Sequence, residues 1–431
     1  IEYIYLGSIY SKMKTLFTCF FILVALTLSA QTVFYVDDEV VHVGNGGVVY
    51  IEGDYQSANT GIADNYGAIH VQNDWINNST NTGFTGTSDG DVYLFGTSDQ
   101  NINGNETHFH DLILSGQSTK NMNVDARVLD TLDLVNAELQ TNQYNMYVEN
   151  PAPTAVLWNT GYVNSNTLGG YFVRAMNTTS PYLFPVGDIT LSNIYRGVQV
   201  TPTTTDTAAY GVRLRAIDAS NDFGTTFNGA SGPFDVTIKN SVLSDINTDF
   251  YHNIARFTGS QPADVNIHYF SGDGDYFSVA QWQESTSQWE PSSDFVSTNT
   301  VGPASFGSPD VQARAVGHND FIEDPFALVG VDLLIPGFIS PNNDNSNDFF
   351  EIQNIELFPG NKIQIFNRYG NVVFETTDYN NTSNYWDGSA STASMVLGDK
   401  TEKLPSGVYF YILELPDDLP AQQGYVVLER D

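Results

Sequence analysis

The stretch GDVYLFGTSDQNINGN (90–105) decides the fold. It joins two short apolar runs through small polar residues, and looser copies surround it: GGVVYIEGDY (46–55), GAIHVQNDW (67–75), HDLILSGQS (110–118) and LDTLDLVNAELQTNQYNMYVEN (129–150). The apolar centres Val48, Ile69, Val92, Leu112 and Leu132 recur roughly 20 residues apart, the length of one coil of a parallel β-solenoid. Each coil of such a stack leaves apolar edges that only the next coil covers. Asn at the corners suits this, because it tolerates left-handed backbone and can bond to Asn one coil on. The alternative is a sandwich of antiparallel hairpins. Asn-Gly and Asp-Gly turn pairs occur here but do not alternate cleanly with the strands.

Working outward, the same texture of short alternating runs between Gly, Asn, Asp and Pro fills the rest of the chain, with no long helical period. The expectation is an all-β protein: a parallel β-solenoid over 32–176, a β-sandwich over 177–330 and a C-terminal immunoglobulin-like β-sandwich over 331–431. In the middle region Trp282 and Trp289 read as strand, turn and strand, with core or edge packing as their role.

The 431 residues include 16 Lys and Arg against 50 Asp and Glu, a formal charge of −34. That excess repels nucleic acid and anionic lipid and supplies no basic patch to release counterions, so neither is an expected partner. Abundant Tyr, Phe, Val and Thr at a charged fraction of 15% is strand composition rather than disorder.

The stretch MKTLFTCFFILVALTLSAQ (13–31) has a basic start, an apolar run and small residues before Gln31, which reads as a secretory signal peptide over 13–30. Residues 1–12 read as upstream translation. The sole cysteine, Cys19, lies in the apolar run, so the mature chain is expected to carry no disulfide and no lipid anchor. No later segment reads as a membrane span.

From Val331 onward five motifs follow in order: SPNNDNSNDFF (340–350), IFNRYGNVVFE (365–375), YWDG (385–388), LPSGVYFYIL (404–413) and GYVVLER (424–430). Ile363, Ile365 and Val373 alternate as an inward face, and Gly370-Asn371 offers backbone open to positive φ for the reversal. Arg368 then projects from a loop. Trp386 reads as a core aromatic, Asp387-Gly388 as a tight turn, and Pro405-Ser406-Gly407 as a turn into the strand carrying Tyr409. The region resembles the gliding motility-associated C-terminal domain of Bacteroidetes, the type B sorting domain of the type IX secretion system. The resemblance implies passage across the outer membrane with the secretion machinery as partner, and a protein released or held at the outer cell surface. It singles out Asn367, Arg368, Gly370, Trp386, Asp387, Gly388, Pro405, Gly407 and Tyr409 as the sorting motif. The repeats, with VYLFGTSDQNINGN, THFHDLIL and GYVNSNTLGGYFVR (161–174), resemble the repetitive segments that precede such domains in secreted proteins of that group.

Calcium is the one candidate cofactor. Asn342, Asp344, Ser346 and Asp348 alternate, so their oxygens can converge as in a calcium loop, although Asn347 and Gln353 stand where an EF-hand needs Gly and Glu. The competing reading is an Asx turn bonded to its own backbone. Asp273 and Asp275 in SGDGDYF pose the same choice. His108 and His110 share a strand face but lack an obvious third ligand for zinc. The triplets at 130–132 (Asp-Thr-Leu) and 206–208 (Asp-Thr-Ala) resemble short O-glycosylation sites of that phylum.

No nucleophile elbow, zinc-protease or phosphate-loop motif is present. The expected role is a secreted or surface structural or adhesion protein, not an enzyme, contacting polysaccharide or other surface components. The alternatives are a polysaccharide lyase or hydrolase, which would draw its base from Lys120, Arg127 or Arg174, and a calcium-dependent glycan-binding module in the middle region.

Overall fold

The computed structural model describes residues 32–430 apart from 167–168, 216–233, 275, 277, 293–294, 298–310, 322–324, 392–402 and 417–419. The expected signal peptide, its upstream residues and Asp275 lie outside the described residues. Every regular element among them is a strand or a single 3₁₀ turn. No helix among the described residues is long and apolar enough to cross a membrane.

The repeats form a parallel β-solenoid of about seven turns. One sheet stacks Val33–Asp37, Asp54–Asn59, Trp75–Ser79, Gln100–Gly104, Thr119–Met122, Glu138–Gln140 and Tyr162–Asn164. A second stacks Val48–Ile51, Ala68–Val71, Asp91–Leu94, Asp111–Leu114, Leu132–Asp133 and Val156–Leu157. A third runs Thr107–Phe109, Ala126–Val128, Met146–Val148 and Phe172–Met176, all in parallel. The strand Ala208–Arg215 then adds to this row in antiparallel fashion.

Ile69, Val92, Leu112 and Leu132 are register partners through the stack and are sealed from solvent. Val48 is not in that column. Val49 pairs with Ile69, while Val48 pairs with Ala68 and faces outward. The period was right and the phase of the first coil was off by one residue, which in a strand exchanges the two faces. Asn59 and Asn142 sit at corners with φ of 52° and 54°, the backbone that Asn tolerates best after Gly.

Polar staples run through the solenoid interior. Buried Asn77 accepts from the hydroxyls of Ser57 (3.0 Å) and Ser79 (2.7 Å) and donates to the carbonyls of Asn81 and Glu106. Trp75 stacks on Tyr55 at 4.0 Å in the same interior.

By contacts the chain divides into two compact units. The solenoid unit also takes in residues 204–216 and 253–261, and the other unit holds 199–203, 217–252 and 262–431. Within the solenoid unit, Arg213 donates from Nε to Asn253 (3.1 Å) and from Nη1 to the Gly169 carbonyl (2.8 Å).

In the second unit Pro325–Val331 pairs with Leu243–Ile246 and Ser278–Gln283, and Ala263–Tyr269 pairs with Val311–His318. Ser278–Gln283 and Gln288–Pro291 form the expected hairpin. Trp282 and Trp289 face each other across it, buried and edge-to-face at 5.9 Å. Further along, Phe338–Ile339, Gln422–Leu428, Gly407–Glu414, Lys362–Phe366 and Val372–Thr377 make one five-stranded sheet. One of its faces packs Ile363, Ile365, Val373 and Leu413 around Trp386 and Phe350. Phe358 instead joins the core built around Trp282 and Trp289.

Candidate binding surfaces

The terminal motifs, far apart in sequence, meet in space. Asn367 builds the reversal: its carboxamide oxygen accepts from the backbone of Tyr369 (2.9 Å) and Asn371 (3.1 Å), and Gly370 takes φ of 78°. Asn371 is not left-handed, so Gly370 alone supplies the positive φ in this pair. Arg368 is exposed at the tip, its guanidinium 4.8 Å over the Tyr369 ring and bonded to that phenol at 2.7 Å.

Trp386 is fully buried, donating from Nε1 to the Ser389 carbonyl at 3.0 Å. Asp387 caps the turn through the Ser389 amide (2.9 Å), and Gly388 follows with φ of 79°. The Tyr409 ring packs against Trp386 at 5.4 Å and its hydroxyl donates to the Pro405 carbonyl at 2.9 Å. Asn367, Arg368, Pro405, Gly407 and Tyr409 line one hollow of about 520 Å³.

The other side of the Arg368 turn opens on a shallower hollow of about 720 Å³ with Phe366, Phe410 and Tyr425 along it. Phe410 is the register partner of both Phe366 and Tyr425. It is 48% exposed and Tyr425 60%, with Val408 open beside them. The sheet therefore carries a second apolar face. The sequence signal was the unbroken run GVYFYIL (407–413): a strand apolar at every position has two apolar faces. Arg430 was also missed; it ties two motifs by donating to the carbonyls of Leu404 (2.8 Å) and Gly388 (2.7 Å).

The candidate calcium loop is bonded to itself. Both carboxylate oxygens of Asp348 accept backbone amides, from Asn342 (3.0 Å), Asn343 (2.6 Å) and Asn345 (2.8 Å), which holds the carboxyl below its usual range despite some desolvation. Asp344 accepts from the Ser346 amide (2.8 Å) and from the Asn342 side chain (2.9 Å). Asn343 and Asn345 take φ of 60° and 68°, the left-handed backbone that Asn tolerates better than most residues. Asp273 likewise accepts the Phe270 amide at 2.9 Å.

His108 and His110 do not converge. His108 turns to Glu106 (2.9 Å), and His110 to Asp111 (2.8 Å), with Asp130 near enough to make a three-ligand group. Asp111 and Asp130 are spent in part on the Thr131 amide and the Asn150 carboxamide. Thr131 lies within the strand stack, and Thr207 is exposed.

The three bases of the solenoid have different settings. Lys120 is enclosed, giving its three protons to Gln100 (2.6 Å), Ser118 (2.7 Å) and the Gly96 carbonyl (3.0 Å). Arg174 is buried and donates to the carbonyls of Leu183, Ala152 and Pro153; burial pushes it down to about 10. Arg127 is at the surface, bonded through Nε to Glu106 and through Nη1 to Glu149, and these carboxylates outweigh its desolvation and raise its pKa.

On the outward face of the seven-stranded sheet, Asp74 accepts from the Asn101 amide (2.8 Å) and carboxamide (3.0 Å), and Asn123 donates to Asn103 at 2.8 Å. Asn121 stands in register between Asn101 and Gln140. This is a ladder of carboxamides, headed by the Asp74 carboxylate, running across the coils.

Residues 333–428 match the CHU_C type IX secretion signal domain. No curated protein and no solved structure matches the chain. The signal domain directs export by the type IX secretion machinery to the cell surface or the extracellular space.

Proposed function

We propose that the exported protein is a structural or adhesion module of the outer cell surface, gripping a polar polymer with the ladder face of its solenoid. The observation that carries this is the continuous row Asp74, Asn101, Asn121 and Gln140, with Asn103 and Asn123 beside it, on a chain that carries an export signal. Neighbouring coils lie about 4.8 Å apart, so the row presents donors and acceptors at a fixed repeat. A polysaccharide, with hydroxyls at regular intervals, is the partner such a comb suits.

Binding is favoured over bond cleavage by the state of the three bases. Lys120 and Arg174 are enclosed, and Arg127 is kept cationic by two carboxylates, so none offers the neutral base that a lyase uses.

We read the terminal region as an immunoglobulin-like sandwich and the middle region as a second sandwich, which the two core clusters, one around Trp386 and one around Trp282 and Trp289, support. The machinery is taken to dock on the exposed aromatic patch beside Arg368, since exposed apolar patches of this kind mark interaction surfaces.

The test is a cell-surface adhesion assay on polysaccharide-coated supports with the triple variant Asn101→Ala, Asn103→Ala, Asn123→Ala. The variant should reach the surface in normal amount and adhere less. Unchanged adhesion, or release of reducing ends by the wild-type protein, would overturn the reading.

A further inference from the structure

The last turns of the solenoid unit hold a hollow that neither the ladder face nor the signal domain uses. It measures about 440 Å³ and lies over the strands Met146–Val148, Phe172–Met176 and Ala208–Arg215. Its floor is made of small side chains, with Ala175 and Ala209 paired directly across the two antiparallel strands. Two rings form the walls. Tyr147 and Phe257 stand 6.2 Å apart at 87°. Phe257 lies over Gly211, where a Cβ would come within 2.4 Å of its ring, yet it is 38% exposed toward the hollow.

The rim is polar. Arg127 sits 4.3 Å over the Tyr147 ring, and its bonds to Glu106 and Glu149 leave the Glu149 Oε2 without a protein donor among the described residues. The Asn177 carboxamide and the hydroxyls of Thr207 and Thr258 complete the rim, also without protein partners among the described residues.

We propose that this hollow binds one or two sugar units of a neutral oligosaccharide. A pyranose has apolar C–H faces and a girdle of hydroxyls that both donate and accept. The alanine floor and the Phe257 ring meet the first, and Glu149, Asn177, Thr207 and Thr258 meet the second. The volume falls in the range of small-ligand pockets, about 300–1,000 Å³. An apolar peptide would leave the polar rim unsatisfied. Uronic acids and sulfated sugars would meet Glu149 and Glu106 in a chain of formal charge −34, with the rim cation Arg127 already paired twice. The proposal deepens the adhesive reading and rests on the chain being exported, and it adds to the ladder face a second contact, in a pocket.

The test is binding of the purified secreted chain to a printed array of neutral and uronate-containing glycans, with an apolar peptide as competitor. Neutral glycans should be retained, uronates not, and the peptide should not compete. Glu149→Gln and Asn177→Ala should each weaken binding by roughly tenfold or less, and Phe257→Ala by more. Glu149 and Asn177 sit on the rim, so their variants keep the test valid if Phe257→Ala lowers the melting temperature. Retention of no glycan, retention of uronates alone, displacement by the peptide, or neutral-glycan binding untouched in all three variants would overturn the proposal. A chain that binds no glycan on the array while cells still lose adhesion with the ladder variant would refute the pocket and leave the adhesive reading standing.

Discussion

Lys120 places its ammonium 2.6 Å from the carboxamide oxygen of Gln100, its register partner one coil earlier, inside the solenoid. Burial pushes this ammonium down to about 8, an effect that the charge of Asp99 offsets only in part. In the unfolded chain it titrates near 10.5. Between those values the unfolded chain binds more protons than the folded one, so stability rises with pH, by up to about 1.4 kcal/mol per pH unit. Below pH 8 the cost of burying the charge is fully present. Above pH 10 the sign reverses, because burial raises the pKa of Tyr55, Tyr162 and Tyr379 and the unfolded phenols ionise first. Urea unfolding from pH 7 to 10 should show the wild-type rise, and Lys120→Met should flatten it.

The same pair staples three coils. Gln100 donates to the carbonyls of Val71 and Asn73 and accepts from the Gly96 amide at 2.7 Å as well as from Lys120. Gln100→Ala strands these groups in the interior and should cost about 2–4 kcal/mol, more than its size alone suggests. Asn77→Ala should cost a similar amount for the same reason. Chemical denaturation of each variant at pH 7 provides the values.

The coil period and the terminal motifs were legible in the sequence because both are local: a stack repeats its apolar spacing, and turns need Gly, Asn or Asp at fixed offsets. The Gln100–Lys120 staple was not legible. A lysine in a strand reads as an outward residue, and only the register of two coils shows that it points in. The phase of Val48 was lost for a related reason, since the run GGVVYI (46–51) fits either face. The turn at 340–350 kept its two readings because the same alternating oxygens serve a cation or the local backbone; the structure spends them on the backbone. His110 was paired with His108 by strand spacing, whereas its neighbours Asp111 and Asp130 come from the start of the following strand and from the next coil.

Two glycines at nearly equal φ should respond differently. At Gly388 an added Cβ meets Leu428 Cδ1 at 2.8 Å and Arg430 Nη2 at 2.9 Å, while at Gly370 nothing lies within 4 Å. Gly370→Ala should carry only the left-handed backbone cost, about 1 kcal/mol, and Gly388→Ala more. Trp386→Ala, which empties the centre of that core, should cost about 3–5 kcal/mol. Thermal melts of the three variants rank them.

The exposed aromatic face separates export from folding. Phe410→Ser and Tyr425→Ser alter side chains that stand in solvent, so melting temperatures should move little. Export should fall, with protein accumulating in the periplasm, and Arg368→Ala should act in the same direction. Normal export of all three variants would remove this face as the docking surface.

The central claim is that the chain is addressed by its terminal domain, and the most direct measurement is the location of the protein after residues 331–431 are deleted. Immunoblots of periplasm, cell surface and medium should find the truncated chain in the periplasm alone, with the full-length chain outside. Truncated protein at the surface or in the medium at the full-length level would contradict the account.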